Sequence, residues 1–387
     1  MSQQFLKMQN KLRFLPIGII CGFLFGSCNA QNEYESTTVS FEIVGEKKFP
    51  LDSITRPDGI LQYIKFGSVD KLAYSNQAFN RIYIYDFQST DVENVIEFEK
   101  EGPNGTSSIP LFSFLNEDSV LISVANRREL SLFSSDAKLL WQLRFPQESL
   151  QDPLPSVPRN IVRDVVRKNG NFFLSVPMGS NTDKGIVMEI SRNDGNPVDT
   201  LMDWPKDVPY NTNFLYPLRN FWETQLLDGS IAYSFATSHH LVITDDFNSY
   251  RKAEARGKEI GEIILSDLPD TNENMDKISE HFAQQSTYGP LITDPYRKFY
   301  YRIAYQAVHD PERHAKNPQQ RITRQWILVF DEEFKKLGEI DLGINLDQPI
   351  YYVGTMAFAT NEGLVIRKAG DVSDDFLHFD IMNITVD

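Results

Sequence analysis

The chain has 387 residues and a formal net charge of −15, from 53 acidic and 38 basic side chains. An acidic surface of this kind repels the phosphate backbone, so the sequence predicts no nucleic-acid partner. Only two cysteines occur, Cys21 and Cys28, both near the start of the chain. The residues that follow therefore have no disulfide, no thiolate metal site and no cysteine nucleophile.

The first residues follow the pattern of a secretory signal. Three basic residues and no acidic residue precede the apolar run Leu15–Phe25. This run is too short to span the roughly 30 Å of a bilayer core as a helix. We therefore interpret it as a cleaved signal and not as a permanent anchor.

The signal ends in a lipoprotein-like sequence. Gly26 and Ser27 precede Cys28, and bacterial lipoprotein signals place small residues before a cysteine that becomes lipidated. We predict a signal peptide over residues 1–27 and a lipidated tether over residues 28–37, attached to the membrane through Cys28 without spanning it. The alternative is an ordinary cleaved signal, which leaves a reactive thiol in an oxidising compartment.

Apolar residues alternate with polar ones in short segments from Thr38 onwards, which predicts a series of β-strands. The ends of the predicted third strands show a period: Tyr85 and Phe133 are 48 positions apart, and Phe330 and Phe379 are 49 apart. Four strands per unit at roughly 40–50 residues is typical of propeller blades. A four-stranded blade has two apolar faces, and neighbouring blades bury both.

Six such units predict an all-β, six-bladed β-propeller that occupies residues 38–387 as a single domain. The last unit lacks a fourth strand, and the segment Thr38–Val44 alternates as a strand does. We predict that this N-terminal strand completes and closes the last blade. The alternative is a β-sandwich or two β domains, which are also built from short alternating strands.

Two segments interrupt the repeat. Met275, Ile278 and Phe282 recur at helical spacing, which predicts a short helical insertion over Asn274–Gln285 between blades four and five. The segment Val308–Thr323 is polar and rich in charge, and we predict an inserted loop between two strands of blade five.

The segment Glu101-Gly102-Pro103-Asn104-Gly105 resembles the glycine–proline turn of six-bladed propeller lipoproteins of Bacteroidota, a family of unknown function. With the lipoprotein-like start and the blade spacing, the resemblance covers most of the chain. It implies a propeller in the cell envelope, on the periplasmic side of the outer membrane or on the cell surface. It implies no activity, because a fold does not fix a function.

The sequence shows no catalytic motif of the metalloprotease, phosphate-loop or nucleophile-elbow type. We therefore predict no catalytic residues, no cofactor and no metal site. His309 and His314 are five positions apart in a polar segment, which we interpret as a solvated loop. The acidic and amide residues between Asp267 and Asp276 lack the glycine and the closing glutamate of a calcium loop, and we interpret them as a helix start.

The loops between the second and third strands of propeller blades lie on one face, around the mouth of the central channel. Here these loops carry the cationic residues Arg81, Arg127, Arg128, His239, His240, Arg367 and Lys368. These residues are the candidates for binding an anionic small molecule, a glycan or a protein partner. The alternative is that they pair with neighbouring carboxylates and are structural. Likewise, the aromatic loop Trp204–Trp222 is either a sugar-stacking platform or part of the core.

The predicted function is that of an envelope-anchored lipoprotein, a non-enzymatic propeller that binds a ligand or a protein. The alternative is a glycan-active hydrolase or lyase that uses carboxylates at the channel mouth. Carboxylates are abundant in this chain, and no pair of them can be selected from the sequence.

Overall fold

Short strands follow one another along the chain in the computed structural model. The model describes residues 38–387 except 56–58, 77–78, 108, 110, 125–128, 145–165, 169–170, 176–185, 192, 194–195, 210–219, 270, 272, 319–320, 346–356 and 369–374. These residues belong to one compact unit, Thr37–Asp387. Cys28, Arg127 and Arg128 lie outside the described residues. Within the described part, no helix is long and apolar enough to cross a membrane.

Six four-stranded antiparallel sheets account for the described strands. Sheet 1 contains β2 (Leu61–Phe66), β3 (Val69–Asn76), β4 (Arg81–Asp86) and β5 (Val92–Glu97). Sheet 2 contains β6 (Leu111–Asn116), β7 (Ser119–Val124), β8 (Glu129–Ser134) and β9 (Leu139–Arg144). Sheet 3 contains β10 (Val166–Lys168), β11 (Asn171–Ser175), β12 (Val187–Ile190) and β13 (Pro197–Leu201).

The other three sheets follow the same plan. Sheet 4 contains β14 (Phe221–Gln225), β15 (Ile231–Phe235), β16 (His240–Thr244) and β17 (Arg251–Glu254). Sheet 5 contains β18 (Thr287–Asp294), β19 (Phe299–Ala307), β20 (Thr323–Phe330) and β21 (Lys336–Asn345). Sheet 6 contains β22 (Ala357–Ala359), β23 (Leu364–Arg367), β24 (Phe376–Val386) and β1 (Val39–Pro50). Its strand order is β1-β24-β23-β22, so the first strand of the chain joins the last ones.

Both faces of each sheet are apolar, and β4 shows how the sequence produces this. Ile82 belongs to the hydrophobic cluster shared with sheet 2, whereas Tyr83 and Tyr85 belong to the cluster shared with sheet 6. Successive side chains of a strand point to opposite faces, so β-branched and aromatic residues at neighbouring positions serve two interfaces.

Six hydrophobic clusters join the sheets in a cycle. They lie between sheets 1 and 2, 2 and 3, 3 and 4, 4 and 5, 5 and 6, and finally 6 and 1. Each sheet thereby has a neighbour on both of its faces. The described residues form an all-β propeller fold.

The seam between the chain ends is the pairing of β1 with β24, which extends from Val39↔Val386 to Pro50↔Phe376. Phe49 is fully buried there, and its ring packs edge-on against Phe379 at a centroid distance of 5.7 Å. The alternating segment recognised at Thr38–Val44 is therefore the start of a longer strand.

The connections define two unequal faces of the propeller. Connections from the first to the second strand of a sheet, and from the third to the fourth, have between two and six residues. We call the side on which they lie the turn face. Connections from the second to the third strand, and from one sheet to the next, have between 4 and 32 residues and lie on the opposite side, the loop face. Because β1 runs antiparallel to β24, it begins at the turn face with Val39 and ends at the loop face.

Two helices lie on the loop face among the described residues. Helix α1 (Met275–Ala283) connects sheets 4 and 5, buries Ile278 and Phe282, and is shorter than the predicted insertion. Helix α2 (Pro311–Lys316) lies within sheet 5, where a loop was predicted, so that prediction was wrong. The Asp310 side chain accepts a hydrogen bond from Arg313 N–H, and proline follows at the first helical position. These are ordinary signals of a helix start.

The glycine–proline turn has a geometric requirement for its glycines. Gly102 has a φ of +103°, a conformation that a side chain would strain. A Cβ on Gly105 would lie 2.6 Å from the carbonyl carbon of Glu101. The Asn104 side chain accepts a hydrogen bond from Leu139 N–H at 3.1 Å, which fixes the turn against sheet 2.

Sheets 4 and 5 are held together by a fully buried arginine, Arg302 of β19. Its guanidinium group donates to five oxygen atoms: Ser234 Oγ, Phe235 O, Ser238 O, His239 O and Ala255 O, at 2.8–3.3 Å. It also stacks on Tyr288 at 3.7 Å from the ring centroid. Burial lowers the pKa of Arg302 to about 10, and the group remains a cation at neutral pH. Five acceptors thus compensate a buried charge and position two segments of sheet 4.

We expect the substitution Arg302→Met to lower the free energy of unfolding by about 3 kcal/mol or more, because it leaves several buried carbonyl groups unpaired. Urea denaturation followed by tryptophan fluorescence measures this loss. The control is Arg251→Met, which removes an exposed arginine paired with Asp228 at 4.0 Å and should leave the midpoint nearly unchanged. Equal effects of the two substitutions would contradict the structural role of Arg302.

Candidate functional site

The predicted ligand-binding residues that the structure describes lie at loop-face ends of strands, but on three different sheets. Arg81 begins β4 in sheet 1, His239 and His240 lie at the start of β16 in sheet 4, and Arg367 and Lys368 lie at the end of β23 in sheet 6. The structure does not bring them together into one cluster. Their role in ligand binding stays a prediction.

Three of these residues have carboxylate partners close by. Arg81 pairs with Glu97 at 2.8 Å, and His240 Nε2 lies 2.7 Å from Glu254 Oε2. Lys368 contacts the carboxylates of Glu46 and Asp380 at 2.6 and 3.1 Å. The hydrogen bond from Lys368 is the main cause that lowers the pKa of Glu46. These contacts are the ones expected of structural ion pairs on a protein surface.

His239 differs from these residues because it is half-buried at the junction of sheets 4 and 5. Its Nδ1 atom lies 2.8 Å from the hydroxyl of Tyr288, which also accepts a hydrogen bond from Gly257 N–H at 3.2 Å. Burial, followed by the charges of Arg256 and Arg302, lowers the pKa of His239. The neutral imidazole can accept a hydrogen bond from the Tyr288 hydroxyl at Nδ1, which completes this hydrogen-bonded chain.

A surface cavity of about 260 Å³ lies beside this junction, on the outer rim between sheets 4 and 5. We call it the rim pocket; its lining residues are Glu254, Arg256, Gly257, Lys258, Phe330 and Lys336. The Lys336 ammonium donates to Arg256 O at 3.1 Å and to Glu339 Oε1 at 2.8 Å. Glu339 Oε1 also accepts from Lys258 N–H at 2.7 Å. Within the described residues, the Arg256 side chain has no hydrogen-bond or ion-pair partner.

The rim pocket does not correspond to any motif in the sequence. Its lining comes from residues 254–258 and from Phe330 and Lys336, more than 70 positions away. Residues 251–258 contain four basic residues and one acidic residue, but they match no binding motif, and only the packing of sheet 4 on sheet 5 brings them close to Lys336.

A second buried arginine lies below α1 on the loop face. The Arg321 guanidinium donates to Thr287 Oγ1 at 2.7 Å and to Gln285 O at 3.2 Å. It stacks on the Phe282 ring at 4.7 Å from the centroid. Burial lowers the pKa of Arg321 to about 10. This cation fixes the end of α1 to the start of β18.

The histidine pair of the second insertion is not a solvated loop, so that interpretation was wrong for His314. His314 is only 8% exposed, and its Nδ1 accepts a hydrogen bond from Asp310 N–H at 3.2 Å. Its ring stacks on His309 at a centroid distance of 5.3 Å. Helix α2 turns the chain so that a residue one turn after Asp310 points inwards.

The other sequence candidates have structural positions where they are described. Trp204 is buried, donates from Nε1 to Val208 O at 3.0 Å and packs on Phe235. Trp222 is also buried, so these two aromatic residues are core, whereas residues 210–219 of that loop lie outside the described part.

In the described ranges, no three His, Cys, Asp or Glu residues form a group that could hold a metal ion. Asn274 precedes α1 without a side-chain cap.

The chain matches the model of a domain of unknown function, DUF4221, over residues 41–341. The chain belongs to the DUF4221 family. The match confirms the predicted resemblance only as membership of a family of unknown function. No curated protein matches the sequence.

The DUF4221 fold is also seen in a crystal structure. A member from Bacteroides vulgatus has a TM-score of 0.72 at 17% identity, with 90% of this chain and 98% of that one covered. At this identity the likeness shows the fold alone. A Bacteroides fragilis protein described as exported has a TM-score of 0.49 at 10% identity, covering 91% and 96%. Virginiamycin B lyase from Staphylococcus aureus has a TM-score of 0.43 at 9% identity, covering 88% and 99%. Both of these TM-scores are below 0.5, so we draw no conclusion about the DUF4221 chain from these two structures.

The lowered pKa of His239 predicts a pH dependence of stability in this DUF4221 protein. The unfolded chain binds a proton at this histidine near the ordinary pKa of about 6.5, whereas the folded chain binds it only at lower pH. The stabilising contribution is therefore fully present above about pH 6.5 and is lost as the pH falls through the folded pKa. Urea denaturation between about pH 5 and 7 measures it.

The variant His239→Gln provides the comparison, because glutamine keeps an acceptor for Tyr288 but does not titrate. We expect its free energy of unfolding to rise less steeply with pH than that of the unchanged protein. Parallel slopes for the two proteins would show that His239 has no part in the pH dependence.

Proposed function

We propose that this protein is an exported lipoprotein of the cell envelope, and that its propeller binds a ligand or partner protein on the loop face without catalysis. The observation that carries the proposal is the inequality of the two faces. Turn-face connections have at most six residues, whereas loop-face connections reach 32. Binding sites in proteins are typically formed by long loops on a rigid scaffold.

The proposed organisation is a signal peptide over residues 1–27, a lipid on Cys28, a tether over residues 28–37 and a single domain over residues 38–387. The six sheets are, in this proposal, the six blades of one ring. The basic start, the short apolar run and the small residues before Cys28 support the anchor. The cycle of hydrophobic clusters supports the ring.

The position of β1 gives the proposed anchor an orientation. The tether would join the propeller at Val39, which lies at the turn face. Ten flexible residues have an average reach of roughly 17 Å. The turn face would then lie near the membrane, and the loop face would point away from it, towards a partner or ligand in the surrounding compartment.

The side chains on the turn face also support this assignment. Lys65 of sheet 1 donates a hydrogen bond to the Tyr296 hydroxyl of sheet 5 at 2.6 Å. Arg297 of sheet 5 donates to Thr360 O and Asn361 O of sheet 6 at 3.0 and 3.3 Å. These contacts join the inner ends of three sheets on the turn face. The polar side chains on this face therefore hold neighbouring sheets together.

The anchor is tested by lipid labelling in cells. We expect a clickable palmitate analogue to label the unchanged protein and the Cys21→Ala variant, because Cys21 leaves with the signal. The Cys28→Ala variant should be unlabelled and should move from the membrane fraction to the soluble fraction. A label that persists in Cys28→Ala, or that is absent from the unchanged protein, would exclude the anchor.

The binding face is tested with the soluble domain starting at Gln31, in a glycan array and a thermal-shift screen of anionic small molecules. A ligand of the loop face should raise the melting temperature of the unchanged domain but not of an Arg127→Ala/Arg128→Ala variant. The matched control removes two turn-face cations, Lys298→Ala/Lys335→Ala, and should retain the shift. An equal loss in both variants would assign the ligand elsewhere, and turnover of the ligand would favour a glycan-active enzyme.

A further inference from the structure

We propose that the rim pocket binds the carboxylate of a small organic acid, and that the guanidinium of Arg256 is the main partner of this carboxylate. Arg256 and Lys258 lie on the connection that follows sheet 4, whereas Phe330 and Lys336 lie at the turn-face end of sheet 5. The site does not depend on the lipid anchor, and its lining shares no residue with the cations predicted to bind the loop-face ligand.

The size of the pocket limits the ligand. Its volume of about 260 Å³ lies below the roughly 300–1,000 Å³ of sites for drug-sized molecules. Arg256 and Lys258 contribute apolar stems below their charges, and the lining residue Phe330 is fully buried in the hydrophobic cluster between sheets 4 and 5. A ligand with one charged group on a small apolar body fits this composition.

The charges of the lining favour an anion. Three lining residues are cationic, Arg256, Lys258 and Lys336, and one is a carboxylate, Glu254. The Glu254 carboxylate already has His240 Nε2 at 2.7 Å. Lys336 is engaged by Glu339 at 2.8 Å. In the part of the chain that the structure describes, Arg256 is the lining cation whose side chain has no hydrogen bond and no ion pair.

The backbone that carries Arg256 is held on both sides. Arg302 donates to the carbonyl of Ala255 at 2.9 Å, and Gly257 N–H donates to the Tyr288 hydroxyl at 3.2 Å. A Cβ on Gly257 would lie 2.8 Å from Ile260 Cγ1, so the chain packs closely here. Binding therefore has to order only the Arg256 side chain, which reduces its entropic cost.

The choice of a carboxylate follows from geometry and from charge. The planar guanidinium group presents paired N–H donors that match the two oxygens of a carboxylate. Glu254 lines the pocket and Glu339 adjoins it through Lys258 and Lys336. These two carboxylates offset two of the three positive charges, which suits a monoanion better than a phosphate dianion.

Isothermal titration of the soluble domain with benzoate, benzamide and inorganic phosphate tests the proposal. Benzoate and benzamide have nearly the same shape, and only benzoate carries the charge. We expect saturable binding of benzoate, at least tenfold tighter than that of benzamide or of phosphate. Arg256→Ala should weaken benzoate binding at least tenfold, and Arg256→Lys should restore part of it.

The control variant is Lys298→Ala, which removes an exposed cation paired with Glu332 on the same sheet and should leave benzoate binding unchanged. Binding of benzamide as tight as that of benzoate, or of phosphate tighter than that of benzoate, would overturn the ligand class. Unchanged binding in Arg256→Ala, or no binding of benzoate at all, would overturn the site. Because Arg256 is exposed, its variants should keep the melting temperature of the unchanged domain, which confirms folding.

Discussion

The two apolar faces of each four-stranded sheet are the constraint on which the structure depends. In β4, residues at adjacent positions serve interfaces with different sheets: Ile82 faces sheet 2, and Tyr83 faces sheet 6. Such a sheet needs a neighbour on both sides, and a closed cycle gives every sheet two neighbours. The cycle requires a closing seam, which β1 and β24 provide along eleven paired positions. The same pairing decides that the chain enters the propeller on the turn face.

The packing of the sheets does not by itself fix the positions of the loop-face segments between them. Two buried arginines help to hold these segments in place. Burial of a cation without a carboxylate is costly unless every donor finds an acceptor. Arg302 meets this condition by collecting carbonyl groups from the segments around His239 and Ala255. Arg321 binds the segment that leads from α1 to β18 through Gln285 O and Thr287 Oγ1, but its Nε has no hydrogen-bond partner among the described residues. The same interactions that stabilise the junction of sheets 4 and 5 therefore place Arg256 at the rim pocket.

The parts of the fold that depend on local patterns were predictable from the sequence. Alternation in Arg81–Asp86 predicts β4, and helical spacing of Met275, Ile278 and Phe282 predicts α1. Asp310 and the proline that follows it signal the start of helix α2. The charged composition of the segment nevertheless resembles that of a loop, which is why the sequence prediction for this segment was wrong.

The contacts of Arg302 could not be predicted, because its acceptors lie 47 to 68 positions away. Four of them are backbone carbonyls, which every residue has, so no residue type in the sequence indicates where Arg302 binds. The rim pocket was not predictable for a similar reason: Lys336 is 80 positions from Arg256 and meets it only through packing.

The strands also explain why the predicted cations are paired. Arg81 and Glu97 are direct cross-strand neighbours, as are His240 and Glu254. Arg256 lies on the connection between sheets 4 and 5 and therefore has no cross-strand register partner of this kind.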